Sequence, residues 1–180
     1  MTAAPTKTQI NLGAGTVTGD EGWLSMDLKD IYRPTFKGDI LHIPVRDASV
    51  DRLRCEHVLE HLPPIYFVID WDARQVQTRV SFNDTMNEMW RILKDGGQVE
   101  IEVPVFPYPA ALADPTHLSF LVVERFIYLD PEKTLMPLIG RDAPTTPYLE
   151  MYDLRPWKII SQERKASGSI VRLVMEKRPC

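Results

Sequence analysis

Apolar residues along this chain fall into two kinds of run. Short alternating or continuous runs predict strands at Gln9 to Leu12, Trp23 to Asp27, Val50 to Cys55 and Val99 to Val103, with a weaker one at Gly38 to Leu41. Val99 to Val103 alternates apolar with acidic residues, as a strand with one covered face should. Helical spacing of Phe82, Met86, Met89, Trp90 and Leu93 predicts a helix over Ser81 to Lys94, stopped by Asp95-Gly96-Gly97 with glycine at a left-handed cap. A short helix is expected at His57 to Leu62. Another is expected at Ser119 to Leu129, with Phe120, Val123, Phe126 and Ile127 on one face. Trp157 to Glu163 and Ile170 to Glu176 flank the turn residues Ala166-Ser167-Gly168 and read as an antiparallel hairpin. Residues 63 to 80, with Tyr66, Phe67 and Trp71 among polar neighbours, suggest only an inserted lid or an interface.

Strands alternating with helices, then a terminal hairpin, predict an α/β fold. It is a Rossmann-like, open, mostly parallel sheet with one reversed edge strand in a C-terminal antiparallel hairpin. The first helix is reduced or absent, because only Thr16 to Gly22 separate the first two strands. The stretch from 104 to 156 holds nine prolines, from Pro104 to Pro156, and is expected to be irregular. In a compact domain such a segment is usually functional. A chain of 180 residues accommodates one domain, 1 to 180, with a sizeable core.

Composition narrows the function classes. A net charge of -4 provides no general footprint for nucleic acid, and no run approaches membrane-spanning length. Cys55 and Cys180 form no disulfide framework, and MTAAPTKTQ has no apolar signal stretch, so a cytoplasmic protein is expected.

Gly13-Ala14-Gly15 directly follows Ile10-Asn11-Leu12. Glycines after a first strand let the backbone approach a ligand that a Cβ would repel. Asp27 closes the second strand, where a carboxylate can accept both hydroxyls of a ribose. Asp39 ends the weaker third strand and could accept an adenine amino group, with Leu28 and Ile40 as apolar walls. A dinucleotide-binding dehydrogenase fits less well. Its third glycine would fall on Thr18, and Thr16 to Gly22 is too short for a pyrophosphate-binding helix.

The segments INLGAG, GWLSMDL, GDILHIPVRDASVDRLRCEHVLEHL, NEMWRILKDGGQVEIEVP and DPTHLSF resemble, in order, the Rossmann-like (class I) S-adenosylmethionine-dependent methyltransferases. The likeness is strongest to their compact, type-11-like members. The resemblance implies that Gly13, Ala14 and Gly15 line the methionine part of S-adenosylmethionine. It also implies that Asp27 holds the ribose, that Asp39 and Ile40 lie at the adenine, and that Glu56 and His57 border the reacting methyl. It departs from the family in its Ala14, in the reduced first helix, and in lacking a helix before the first strand. The usual lid over the site would then be missing or come from elsewhere, with the domain closing its site alone, within an oligomer or with a partner protein.

Methyl transfer needs alignment of acceptor and methyl, exclusion of water and, for some acceptors, removal of a proton. His117, in Asp114-Pro115-Thr116-His117, is the first candidate for a base or orienting group, and His57 is next. His61 reads as a buttress. The acceptor expected is a small molecule or sugar bearing a hydroxyl, amine or carboxylate, since the tetrad and Pro-Cys signatures of base methylation are missing. Two other readings stand beside this one. In one the chain is a catalytically degenerate, cofactor-binding interaction module. In the other, His57-Val58-Leu59-Glu60-His61 is an H-x-x-E-H zinc hydrolase motif with Glu88 as third ligand. The first reading requires no metal.

Overall fold

The computed structural model describes residues 7–16, 22–134, 143–165 and 168–179. Its main sheet has seven strands: β1 (Gln9–Leu12), β2 (Leu24–Asp27), β3 (Phe36–Lys37), β4 (Val50–Glu56), β7 (Leu93–Pro104), β8 (Trp157–Lys165) and β9 (Ile170–Lys177). They lie in the order β3-β2-β1-β4-β7-β9-β8. Every pair from β3 to β7 is parallel, and β9 runs antiparallel to both β7 and β8. The terminal hairpin therefore forms as predicted. The reversed strand is not the edge, however: β9 enters between β7 and β8, and β8 takes the edge.

Strict alternation gives the sheet two unlike faces. Leu53 and Cys55, then Val99, Ile101 and Val103, then Val171, Leu173 and Met175 are buried and form the core side. Each such aliphatic side chain contributes about 1.5–3 kcal/mol on burial. Residues of opposite parity form an ion-pair ladder. Arg172 meets Glu100 at 2.9 Å, Glu102 at 2.9 Å and Glu56 at 3.5 Å, and Lys165 meets Glu102 at 2.8 Å.

Helix α1 (Ser81–Ile92) buries Phe82, Met86, Met89 and Ile92 in that core. It ends two residues before the expected Lys94, because Leu93 is already extended and paired with Val50. The register resumes at Gln98 opposite Arg52. The turn residues thus form a bulge inside β7, and the left-handed Gly96 (φ 72°) belongs to that bulge rather than to a helix cap.

Two other elements shift from expectation. The third strand is Phe36–Lys37, not Gly38 to Leu41. Asp39 folds the latter into a turn, accepting the Leu41 N–H on its side chain (2.9 Å) and the His42 N–H on its carbonyl (3.0 Å). The helix expected over Ser119 to Leu129 is a 3-10 helix at Val123–Leu129. Val123 and Phe126 are buried as expected, but Phe120 is exposed, since neighbouring Leu121 bridges to Val105. The rest of the 104–156 stretch carries two short helices, α2 (Pro109–Leu112) and α3 (Thr146–Met151), while 135–142, including Pro137, lie outside the described residues.

Residues 65–80 form a separate two-stranded hairpin, β5 (Ile65–Asp70) and β6 (Gln75–Val80). Its pairing places Ile65, Phe67 and Ile69 opposite Val80, Thr78 and Val76 on one face. Phe67 is 63% exposed and Trp71, at the tip, 80%. The polar face is tied down instead: Tyr66 Oη donates to Asp84 (3.0 Å), and Arg79 pairs with the same carboxylate. The hairpin leaves and returns at one point, where the Ser81 N–H donates to the Pro64 carbonyl (3.3 Å).

Candidate active site

Parallel strands of an open α/β sheet leave a crevice beyond their carboxyl ends, where the order reverses about the first strand. Here a cavity of about 670 Å³ lies there, lined by Gly13, Gly15, Asp27, Leu28, Lys29, Tyr32, His57, His61, Thr116 and Leu118. Its size suits a small-molecule site, for which roughly 300–1,000 Å³ is usual.

The glycine loop and the end of β2 are bound together through one carboxylate. Asp27 is buried, and its two oxygens accept the N–H groups of Gly15 (2.9 Å) and Lys29 (2.8 Å). A carboxylate has about four acceptor positions, so two remain for a ligand. The two glycines serve different ends. Gly13 (φ 64°) has no room for a side chain, because a Cβ would meet Val58 Cγ2 at 2.5 Å. Gly15 (φ 52°) would point its Cβ into open space. Ala14 is buried, and its N–H donates to the Met26 carbonyl (3.1 Å), clamping β1 to β2.

On the opposite wall, β4 ends in a left-handed residue, His57 (φ 55°), and a 3-10 turn follows at Leu59–His61. His57 Nδ1 lies 3.2 Å from Glu60, and its Nε2 lies 3.6 Å from Glu102. The hydrogen bond to Glu60 raises the His57 pKa above the ordinary imidazole value against the effect of burial, and the charges of Glu60, Glu102 and Glu56 add to it. Burial would raise the Glu102 carboxyl, but hydrogen bonds from Lys165 and Arg172 override it and hold that group below its usual range.

The structure separates the residues singled out from the sequence. Gly13, Gly15, Asp27, Leu28 and His57 line the cavity. Glu56 does not: it has the parity of the ladder face and pairs with Arg172 (3.5 Å) and Arg54 (3.8 Å). Asp39 spends one oxygen on its own turn, and Ile40 is in the core, so neither forms part of the wall. His117 is set back, with its side chain only 8% exposed and its ring edge-on to His61 at 4.9 Å. His61 occupies the wall position expected of His117, and Lys29, Tyr32, Thr116 and Leu118 join it there. Two histidines four residues apart, beside a carboxylate, were the available signal for His61.

The zinc peptidase reading fails on this geometry. His57 lies outside the short turn that holds His61, so the two do not share a helical face. Glu88 is committed elsewhere, to Arg91 (2.8 Å) and the Ile43 N–H (2.9 Å). Cys55 is fully buried and burial pushes its thiol pKa up, so it is no nucleophile.

The strand order and the cavity define the methyltransferase variant of the Rossmann-like fold. Residues 20–101 match the family model described as a methyltransferase domain. Three solved structures share the fold. The [4+2]-cyclase SpnF has a TM-score of 0.59 at 11% identity, over 97% of this chain and 76% of its own. An S-adenosylmethionine-dependent methyltransferase from Archaeoglobus fulgidus scores 0.55 at 12%, over 96% and 87%. The methyltransferase solved with the Haloferax volcanii Trm112 activator scores 0.56 at 12%, over 99% and 86%. No curated protein matches the chain. The family match spans 82 of the 180 residues, and the solved structures show that the whole chain has the fold they share. The matched model is that of a methyltransferase domain, and the Archaeoglobus fulgidus protein is S-adenosylmethionine-dependent.

Proposed function

We propose that this methyltransferase moves a methyl group to an oxygen or nitrogen of a small molecule or sugar. The observation that carries the reading is the composition of the wall facing the glycine loop. His57, His61 and Thr116 offer hydrogen bonds beside Leu118, as a small polar acceptor needs. Bound S-adenosylmethionine supplies an activated methyl on a sulfonium. Asp27 would hold the ribose hydroxyls with its two spare acceptor positions, Gly15 would leave room beside it, and Leu28 would cover the adjoining apolar surface. His57, with Nδ1 on Glu60, would orient the acceptor by donating to it from its other nitrogen. His117 would act through His61, fixing that ring edge-on. Leu118 is half exposed at the rim, so closure would fall to a second copy or another protein. The complex of the Haloferax volcanii relative with an activator is one precedent for such a partner. Among the described residues no helix is long and apolar enough to cross a membrane. We place the enzyme in the cytoplasm on its cysteine usage.

Calorimetric titration with S-adenosylmethionine and its demethylated product tests the cofactor site. Asp27→Ala should weaken both by roughly ten- to a hundredfold, since hydrogen bonds to charged groups contribute about 1.5–3 kcal/mol. Unchanged affinity would remove Asp27 from the site. Methyl transfer to a panel of sugars and small hydroxyl or amine compounds tests the acceptor class. Cofactor binding without transfer to any of them would favour a degenerate interaction module.

A further inference from the structure

We propose that Glu60, His61 and His117 form a binding site for one divalent transition-metal ion of the zinc class, at the acceptor end of the cavity. One donor atom from each of the three side chains lies within 4.8 Å of the other two. The hydrogen bonds around them decide what those atoms offer.

His61 Nδ1 faces the Thr116 carbonyl (3.2 Å) and the Thr116 hydroxyl (3.0 Å). That hydroxyl gives its proton to Asp114 at 2.6 Å, so both groups facing Nδ1 are acceptors. The His61 ring therefore carries its proton on Nδ1. His117 Nδ1 faces the Ala111 carbonyl at 3.2 Å, which can only accept, so this ring too is protonated on Nδ1. Nε2 is then the nitrogen of each ring left to offer a lone pair to an ion. A backbone oxygen that fixes the tautomer from behind is the usual second shell of a metal-binding histidine.

Glu60 supplies the independent observation. It is 1% exposed, and only its Oε1 is engaged, by His57 Nδ1 at 3.2 Å. Its Oε2 is buried without a hydrogen-bond partner. A buried, unpaired carboxylate oxygen is costly. One nitrogen of each imidazole and a carboxylate oxygen of Glu60 lie within 4.8 Å of one another, and a cation bound among them would satisfy the buried unpaired oxygen.

The donor set selects the ion. Two imidazoles and one carboxylate suit zinc-like ions, whereas magnesium and calcium prefer all-oxygen shells. Three protein ligands also leave a coordination position open, the arrangement of reactive rather than structural sites. His61 lines the cavity, so an ion held by it would lie at the cavity wall. Asp114, 3.9 Å from His117 Nε2, adds negative charge beside that nitrogen. The backbone is fixed in advance: the Glu60 carbonyl accepts the N–H groups of Leu118 (2.8 Å) and Ser119 (2.9 Å), holding the His61 turn against the His117 loop. The ion's use rests on the methyltransferase reading. An acceptor hydroxyl would take the open coordination position, and its proton would leave to solvent as its oxygen is held for the methyl.

The test is titration of chelator-treated protein with cobalt(II) and zinc chloride, followed by cobalt ligand-field absorption and by calorimetry. One ion per chain is expected. His61→Ala, His117→Ala and Glu60→Gln should each weaken binding at least tenfold. Glu60→Gln keeps shape and removes the unpaired charge, so a folded variant with reduced affinity separates ligation from misfolding. Absence of stoichiometric binding, affinity unchanged in the three variants, or magnesium binding as tightly as zinc would each overturn the site. S-adenosylmethionine titration of the same samples keeps the two ideas apart. Cofactor binding without metal binding overturns only this site, and metal binding without cofactor binding overturns only the cofactor reading.

Discussion

At the scale of single residues, two backbone positions with positive φ set the two walls of the cavity, for different reasons. Gly13 is constrained from within, since its missing Cβ is the space that Val58 fills. Gly13→Ala should cost about 1–3 kcal/mol from overpacking, beyond the strain of a left-handed alanine, and Val58→Ala should return part of it. Chemical denaturation of the single and double variants measures both. His57 is constrained by charge. Its folded-state pKa is raised, so its contribution to stability is fully present below the unfolded value near 6.5 and is lost as pH rises through the folded value. The wild-type melting temperature should therefore fall, relative to His57→Gln, as pH is taken upward from 6.5. Parallel pH profiles of the two proteins would show the His57 pairing to be inert. Parity decides the third case. Cys55 points to the core, so Glu56 points to the ladder, and period-two counting in the sequence was enough to place it off the cavity wall.

At the scale of elements, the β5–β6 hairpin is oriented against habit. Its polar face is held to α1 through Asp84, and its apolar face, with Phe67, Ile69 and Val76, meets solvent. Residues so exposed have little burial to lose. Phe67→Ser and Ile69→Ser should change stability by less than about 0.5 kcal/mol, the usual range for surface sites. Phe126→Ala, on a fully buried ring edge-on to Phe82, should cost about 3–5 kcal/mol. Urea unfolding distinguishes the two classes. A large loss at Phe67 would mean that this face packs against something in solution.

At the scale of the whole molecule, the strands were legible where apolar alternation was strong: β1, β2, β4 and the terminal pair lie where the pattern predicts. Placement of β9 between β7 and β8 was not legible, because pairing order leaves no trace in the periodicity of one strand. The helix end at Ile92 was missed for a related reason. Asp95-Gly96-Gly97 signals a turn equally well in a helix cap and in a bulge, and only the pairing of Leu93 with Val50 decides between them. Of the site, the glycine loop and Asp27 were readable because local chain geometry alone brings them together. The exchange of His117 for His61 on the wall was not, since it depends on the packing of two distant segments through the Glu60 carbonyl.

The shared exit and entry of the hairpin at Pro64 and Ser81 has an evolutionary consequence. Because the chain comes back to where it left, the distance that β4 and α1 must span is the same whether the excursion is long, short or replaced by another sequence. The main sheet and its cavity are thus insulated from length changes at this position, and a lineage can graft or prune there while the reaction centre is inherited intact.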